Sequence, residues 1–344
     1  MSRPLRILLA SILLVAFLGA TALVSRWDDE RELRLPVPAS VTALAFEPRG
    51  GLLLAASDEE RLQVLSPSRR TVVREIGEPG EGSVDLAFGG GGKLLATASV
   101  DSKVRVRRWP SGELVATIDA PGVVGVAFTH KGGLVTGRRD FRGAIRIETR
   151  TTPSSEPQEP FALWRAKTIR LSPDGELVAF FVEDGDVYVF SIESGERAAK
   201  ARDLRAPRIE NEEEYVEPPP VQGVGYAWNG RGDLLAISAV SSSGVALISP
   251  YEDRGPPPDP FEIPRWPGLT LESGGGPCAL SWDGKLLVAG RTGEAFSVPS
   301  MQKLQKGAAL APTEHFTAIA ISRSGVAAGA LGKEIVLWRV GTPR

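Results

Sequence analysis

Seven short stretches of the chain carry the same order of apolar and polar positions. Each ends an apolar strand on a large apolar or aromatic anchor, places a glycine four residues later, and continues into a small apolar run. The pairs are Phe46 and Gly50, Phe88 and Gly92, Phe128 and Gly132, Leu171 and Gly175, Trp228 and Gly232, Leu280 and Gly284, and Ile321 and Gly325. Successive anchors stand 42, 40, 43, 57, 52 and 41 residues apart. Glycine suits the turn because several hairpin types need a positive φ, which it adopts without a Cβ clash. A period of about 40 residues built from short strands marks the blades of a β-propeller. The pattern predicts an all-β fold of seven blades closed into one ring.

The second repeat shows the blade most fully. Val84-Asp85-Leu86-Ala87-Phe88 reads as an inner strand, Gly89 to Gly92 as a turn, and Leu94-Leu95-Ala96-Thr97-Ala98 as a second strand. Val104-Arg105-Val106 alternates as a third strand, and Ser111-Gly112-Glu113 forms a hairpin into Leu114-Val115-Ala116-Thr117-Ile118.

This repeat resembles the Trp-Asp (WD) repeat family. Asp101 stands where that family places its turn aspartate, and Ser111-Gly112-Glu113 matches the family's hairpin. The fourth repeat agrees through Ser172-Pro173-Asp174-Gly175, Asp184 and Ser194-Gly195-Glu196, and the last keeps the family tryptophan as Trp338. The resemblance covers residues 32 to about 340. The Trp-Asp pair itself is Arg107-Arg108, Phe190-Ser191 and Trp338-Arg339 in these three blades, and the family's Gly-His dipeptide is absent. The buried Asp-His-Ser-Trp network of the family is therefore expected to be missing, with apolar packing in its place. The chain is similar to a degenerate member.

The residue before each anchor is Ala45, Ala87, Ala127, Arg170, Ala227, Ala279 and Ala320. Small side chains let inner strands crowd around the axis, so Arg170 is the exception. A charge at such a site needs a carboxylate partner or channel water.

The last repeat holds three strands before the chain ends, so its fourth is expected from Glu32-Leu33-Arg34-Leu35. The domain reading is accordingly 1–25 as a membrane anchor or signal segment, 26–31 as a short linker, and 32–344 as the propeller, closed by the N-terminal strand 32–37. A basic head, Arg3 and Arg6, precedes an uncharged apolar stretch of 18 residues, Ile7 to Val24. That is near the length of a membrane-spanning helix, about 20 residues, and longer than the core of a cleaved signal, about 7–15. An uncleaved transmembrane helix through residues 7–24 is favoured, with cleavage near Ala22 as the alternative. Both readings export the propeller, to a bacterial periplasm or cell surface. In WD-type propellers the outer strand runs away from the face bearing the first turns, so the opposite face is expected to point away from the bilayer.

Composition narrows the function further. Net charge is −2, without the basic footprint of a nucleic-acid binder. Cys278 is the sole cysteine, so no intrachain disulfide forms. Gly89-Gly90-Gly91-Gly92-Lys93 lacks the Ser or Thr and the following helix of a phosphate loop. The two histidines show no zinc-ligand spacing, Asp184-Gly185-Asp186 reads as hairpin chemistry, and no nucleophile elbow occurs. No catalytic residues, cofactor or metal are expected. The leading expectation is a non-catalytic scaffold that binds a protein partner. Two inserted stretches, 203–222 and 264–277, offer Glu212, Glu213, Glu214, Tyr215 and Trp266 as a partner surface, an acidic one that calls for a basic partner. Residues 151–160 read as a flexible connector. The rival expectation is a small-ligand sensor or enzyme that uses the axial channel near Asp85 and Arg170.

Overall fold

The computed structural model describes residues 32–182, 186–201, 224–239, 245–249, 271–272, 275–298, 300–305, 307–311 and 313–341. They form seven antiparallel sheets and no helix. Six sheets have four strands, and the fifth has three among the described residues. Each inner strand packs against the inner strands of its two neighbours, the last against the first, which closes the ring.

All seven repeat glycines sit at φ between 69° and 85°, Gly175 lowest and Gly132 highest. In each turn the glycine N–H donates to the carbonyl of the residue just after the anchor, as in Gly50 to Glu47 at 2.7 Å and Gly175 to Ser172 at 3.0 Å. A Cβ in this region costs about 1–2 kcal/mol, which is why the period is spelled in glycine. Five of the seven anchors are buried between adjacent blades, and Phe46 and Phe88 are half-buried. Phe128, for example, packs with Ala96, Val104 and Val106 of the preceding blade. Burying such a side chain contributes about 1.5–3 kcal/mol. The core is thus a set of separate layers between neighbouring blades.

Blade two comprises Ser83–Gly89, Leu94–Ser99, Lys103–Arg108 and Leu114–Asp119. Blade three comprises Val123–Phe128, Leu134–Arg139, Ile145–Arg150 and Gln158–Leu163. The last strand corrects the reading of 151–160 as a connector. It starts inside that stretch and pairs Phe161 with Ile147 and Leu163 with Ile145. Proline-rich sequence suggested a linker, yet an outer strand has one unpaired edge and accepts proline there. Blade seven comprises Ala318–Ile321, Val326–Leu331 and Glu334–Arg339. Its fourth strand is Leu33–Pro36, with Leu35 opposite Ile335 and Leu33 opposite Leu337. The edge that three strands would leave open is thereby paired.

Every blade has its first turn on one end of the ring, here called the turn face. Hairpins between second and third strands, and the loops joining blades, lie on the other end, the loop face. The anchor or signal helix expected at 1–25, and the linker at 26–31, lie outside the described residues. Among the described residues no helix is long and apolar enough to cross a membrane.

Candidate functional site

The ring encloses an axial cavity of about 510 Å³, and all seven positions before the anchors line it. Six of them are alanine, so the ring closes without filling its centre. Arg170, on the inner strand Ala166–Leu171 of blade four, projects into the space the alanines leave. Its Nη1 donates to Asp85 Oδ1 at 2.8 Å, and the Arg170 side chain stays 44% exposed. Asp85 is buried and its Oδ2 accepts the Val126 N–H at 3.0 Å. The pair therefore ties blades two, three and four together across the axis. A bulge between Ser83 and Asp85 shifts the register just before the aspartate and re-aims it.

Two further groups line the cavity. Thr168 Oγ1 donates to the Tyr226 hydroxyl at 3.3 Å, and burial raises the tyrosine pKa above its ordinary value. Burial also pushes the Cys278 thiol up to about 12, against the opposing influence of Arg170. A thiol so protonated is a poor nucleophile, and this one donates weakly to the Ala236 carbonyl at 3.7 Å. Among the described residues no three His, Cys, Asp or Glu side chains converge as a metal site.

The loop face carries the second candidate surface. Phe141, in the hairpin of blade three, is 92% exposed, and Trp164, in the loop from blade three to blade four, is 58% exposed. Val84 and Val100 of blade two are exposed at the same end, so this face holds four of the eight exposed large hydrophobic residues among those described. Arg139 joins hairpin and loop. Its Nη1 donates to the Gly143 and Ala166 carbonyls at 3.3 Å each, and its Nη2 to the Lys167 carbonyl at 2.6 Å. Sequence reading passed over Phe141 and Trp164 because lone aromatics beside short turns look like ordinary core residues.

Of the residues expected to bind a partner, Glu212, Glu213, Glu214, Tyr215 and Trp266 lie outside the described residues. The structure does bring Asp85 and Arg170 together. Only the register of the blades shows that residues 85 positions apart in sequence meet across the axis.

At the position of the family's tryptophan, blade two has Arg107 opposite Leu95 and blade seven has Trp338 opposite Ala327. The family's turn aspartate, Asp101, accepts from Arg105 in place of a histidine, at 3.1 Å between Nη1 and Oδ1. His130 sits in a turn and pairs with Glu176 at 2.8 Å. No family model matches the chain. A stretch of 164 residues, 43% of the chain, is 26% identical to the WD repeat-containing protein VIP3 of Arabidopsis thaliana and covers 51% of that protein. Together with the seven blades, this likeness supports a WD-repeat β-propeller.

Two further matches are to parts of much longer proteins. Over 287 residues, 78% of the chain, it is 24% identical to telomerase protein component 1 of Mus musculus, spanning 10% of that protein. The U3 small nucleolar RNA-associated protein 21 homolog of Schizosaccharomyces pombe is 28% identical over 89 residues, again 10% of its length. The chain thus spans about a tenth of these two relatives and about half of the VIP3 protein.

Proposed function

We propose that this propeller is a non-catalytic scaffold that docks a protein partner on its loop face, exported and tethered to a bacterial envelope membrane through residues 7–24. The observation that carries the docking face is the exposure of Phe141 and Trp164 on two loops cross-linked by Arg139. Burial of each ring by a partner would contribute about 1.5–3 kcal/mol, and aromatic side chains are enriched among residues that dominate interface energies. The tether is supported by the apolar stretch 7–24. The strand Leu33–Pro36 begins at the turn face, opposite Phe141 and Trp164. The acidic stretch 210–217, from which a basic partner was expected, lies outside the described residues.

Photo-cross-linking from position 100, exposed on the same face, in intact membranes tests the proposal. A discrete cross-linked protein is expected from that position and none from an exposed turn-face position such as His130. A chain that sediments with soluble proteins after fractionation would remove the tether and leave the docking face standing.

A second reading has one observation of its own, the cavity of about 510 Å³ with a partly exposed Arg170 inside it. Replacing Arg170 by alanine separates the two. Loss of small-molecule binding with an unchanged melting temperature favours a channel ligand, whereas loss of melting temperature alone marks Arg170 as a tie between blades.

A further inference from the structure

We infer that the loop-face surface around Phe141 and Trp164 takes an acidic polypeptide segment with an apolar anchor. The inference rests on the scaffold reading above and adds the chemistry of the partner.

Four features point to that chemistry. Chain segments 138–142 and 163–167 bring Arg138, Arg139, Arg142, Arg165 and Lys167 to this end of the ring against one carboxylate of their own, Asp140. Asp140 is already occupied: it accepts from the Arg142 and Ala144 backbone N–H groups at 2.8 and 3.1 Å and from Arg146 Nε at 3.1 Å. Arg138 is committed to Glu148. The guanidinium groups of Arg142 and Arg165 meet no carboxylate among the described residues. Two arginines are therefore left to recognise negative charge.

Their placement beside the exposed rings is the second feature. The Arg142 guanidinium lies over the Phe141 ring at 5.2 Å, so ring and cation present one combined surface. Arg165 follows Trp164 directly and holds φ at 64°. A side chain keeps that conformation at a cost of about 1–2 kcal/mol, and here it sits in a two-residue connection between the strand ending at Leu163 and the one starting at Ala166.

Rigidity is the third. Arg139 braces its own hairpin through the Gly143 carbonyl and fastens it to blade four through the Ala166 and Lys167 carbonyls. Phe141 stands two residues from Arg139, and Trp164 two residues before Ala166, so each ring is within about 7 Å of chain from this bridge. A surface held in this way loses little entropy when a partner arrives.

The fourth is the rest of the face, where Val84 and Val100 of blade two are also exposed at this end of the ring. A ligand that places carboxylates on Arg142 and Arg165 and an apolar side chain between the rings satisfies all four.

The probe is a fluorescein-labelled peptide of alternating glutamate and leucine with one tryptophan, titrated onto the full chain by anisotropy. A peptide with lysine for every glutamate and one with serine for every apolar residue serve as controls. Binding by the first alone is expected, weakening at least tenfold as salt is raised from low to high ionic strength. Arg142→Glu with Arg165→Glu should weaken it at least tenfold, and Phe141→Ser with Trp164→Ser should abolish it. All four side chains are exposed, and circular dichroism and melting temperature check that both double variants stay folded. Equal binding of the lysine peptide, or unchanged affinity in either folded variant, overturns the inference. Binding only to vesicles containing phosphatidylserine overturns it in favour of a lipid surface. Binding that emerges only when Glu210, Glu212, Glu213, Glu214 and Glu217 are changed to glutamine overturns it in favour of the chain's own acidic segment as occupant. If both double variants still cross-link the same membrane protein at wild-type level, the scaffold reading stands and this surface is excluded from it. If the wild type cross-links nothing while the peptide binds as described, the scaffold reading fails and the recognition chemistry stands.

Discussion

At one register position blade two carries Arg107 and blade seven carries Trp338, and the two blades fill the family's empty network site by opposite means. In blade seven Trp338 stacks on Phe316 with ring centroids 5.3 Å apart and planes 5° from parallel. Phe316 in turn lies over Gly329, where a Cβ would come within 2.4 Å of its ring. The layer is aromatic and apolar, and the buried Trp338 Nε1 has no hydrogen-bond partner among the described residues. In blade two Arg107 donates to both oxygens of Glu81, at 2.9 and 2.7 Å, and Arg105 Nε reaches the same carboxylate at 3.2 Å. Sequence reading expected apolar packing in both. That holds for blade seven and is corrected for blade two, where a chain of Asp101, Arg105, Glu81 and Arg107 replaces the missing histidine.

The difference teaches how the blade tolerates loss of its family residues. The site is a space between adjacent sheets, and either a flat ring or a neutralised ion pair fills it. The two fillings fail differently. Removing atoms from an apolar layer leaves a cavity. Removing one member of a buried ion pair leaves a charge without a partner, which costs about 3–5 kcal/mol.

Removing blade seven's borrowed strand should have the largest effect. Deleting residues 26–37 unpairs Glu334–Arg339 and exposes Leu337 and Ile335, so the whole ring is expected to lose its cooperative melt. A truncated protein that melts like the intact one would show that blade seven stands on three strands.

Trp338→Ala comes next, with an expected loss of about 3–5 kcal/mol in urea unfolding. Trp338→Phe should cost far less, because it keeps the stack on Phe316 and removes the unpartnered N–H. Equal losses for the two variants would mean that the indole nitrogen is satisfied and the layer is not purely apolar.

In blade two, Glu81→Ala is expected to cost about 3–5 kcal/mol. Adding Arg107→Met should restore most of it, since the double variant removes both charges. If the double variant is worse than the single, the ion pair is stabilising in its own right and the two blades differ more than proposed.

The smallest expected effect is on acid stability. The Arg105 hydrogen bond holds the Asp101 carboxyl below its ordinary value of 3.8. A depressed carboxylate contributes stability that is present above the unfolded value and lost as pH falls through the folded one. Asp101→Asn should therefore narrow the stability difference from wild type as pH drops below 3.8, with little change in Trp338→Phe over the same range. Parallel pH profiles for Asp101→Asn and wild type would remove Asp101 from the network.

The chain by itself determined the blade count and the turns. Seven glycines at a fixed distance from seven anchors are local in sequence, and the positive φ they share needs no tertiary contact to be read. The alanines before the anchors were legible for the same reason, as was the oddity of Arg170 among them. Only the tertiary structure decided which residues meet between blades. Glu81 and Arg107, Asp85 and Arg170, and Arg139 with the carbonyls at 166 and 167 are each brought together by the closure of the ring and the packing of its loops and strands, about which period and composition say nothing. The exposed rings follow the same rule. An aromatic residue beside a turn looks identical in sequence whether it packs inward like Trp338 or stands in solvent like Phe141, because burial is set by the blade next door.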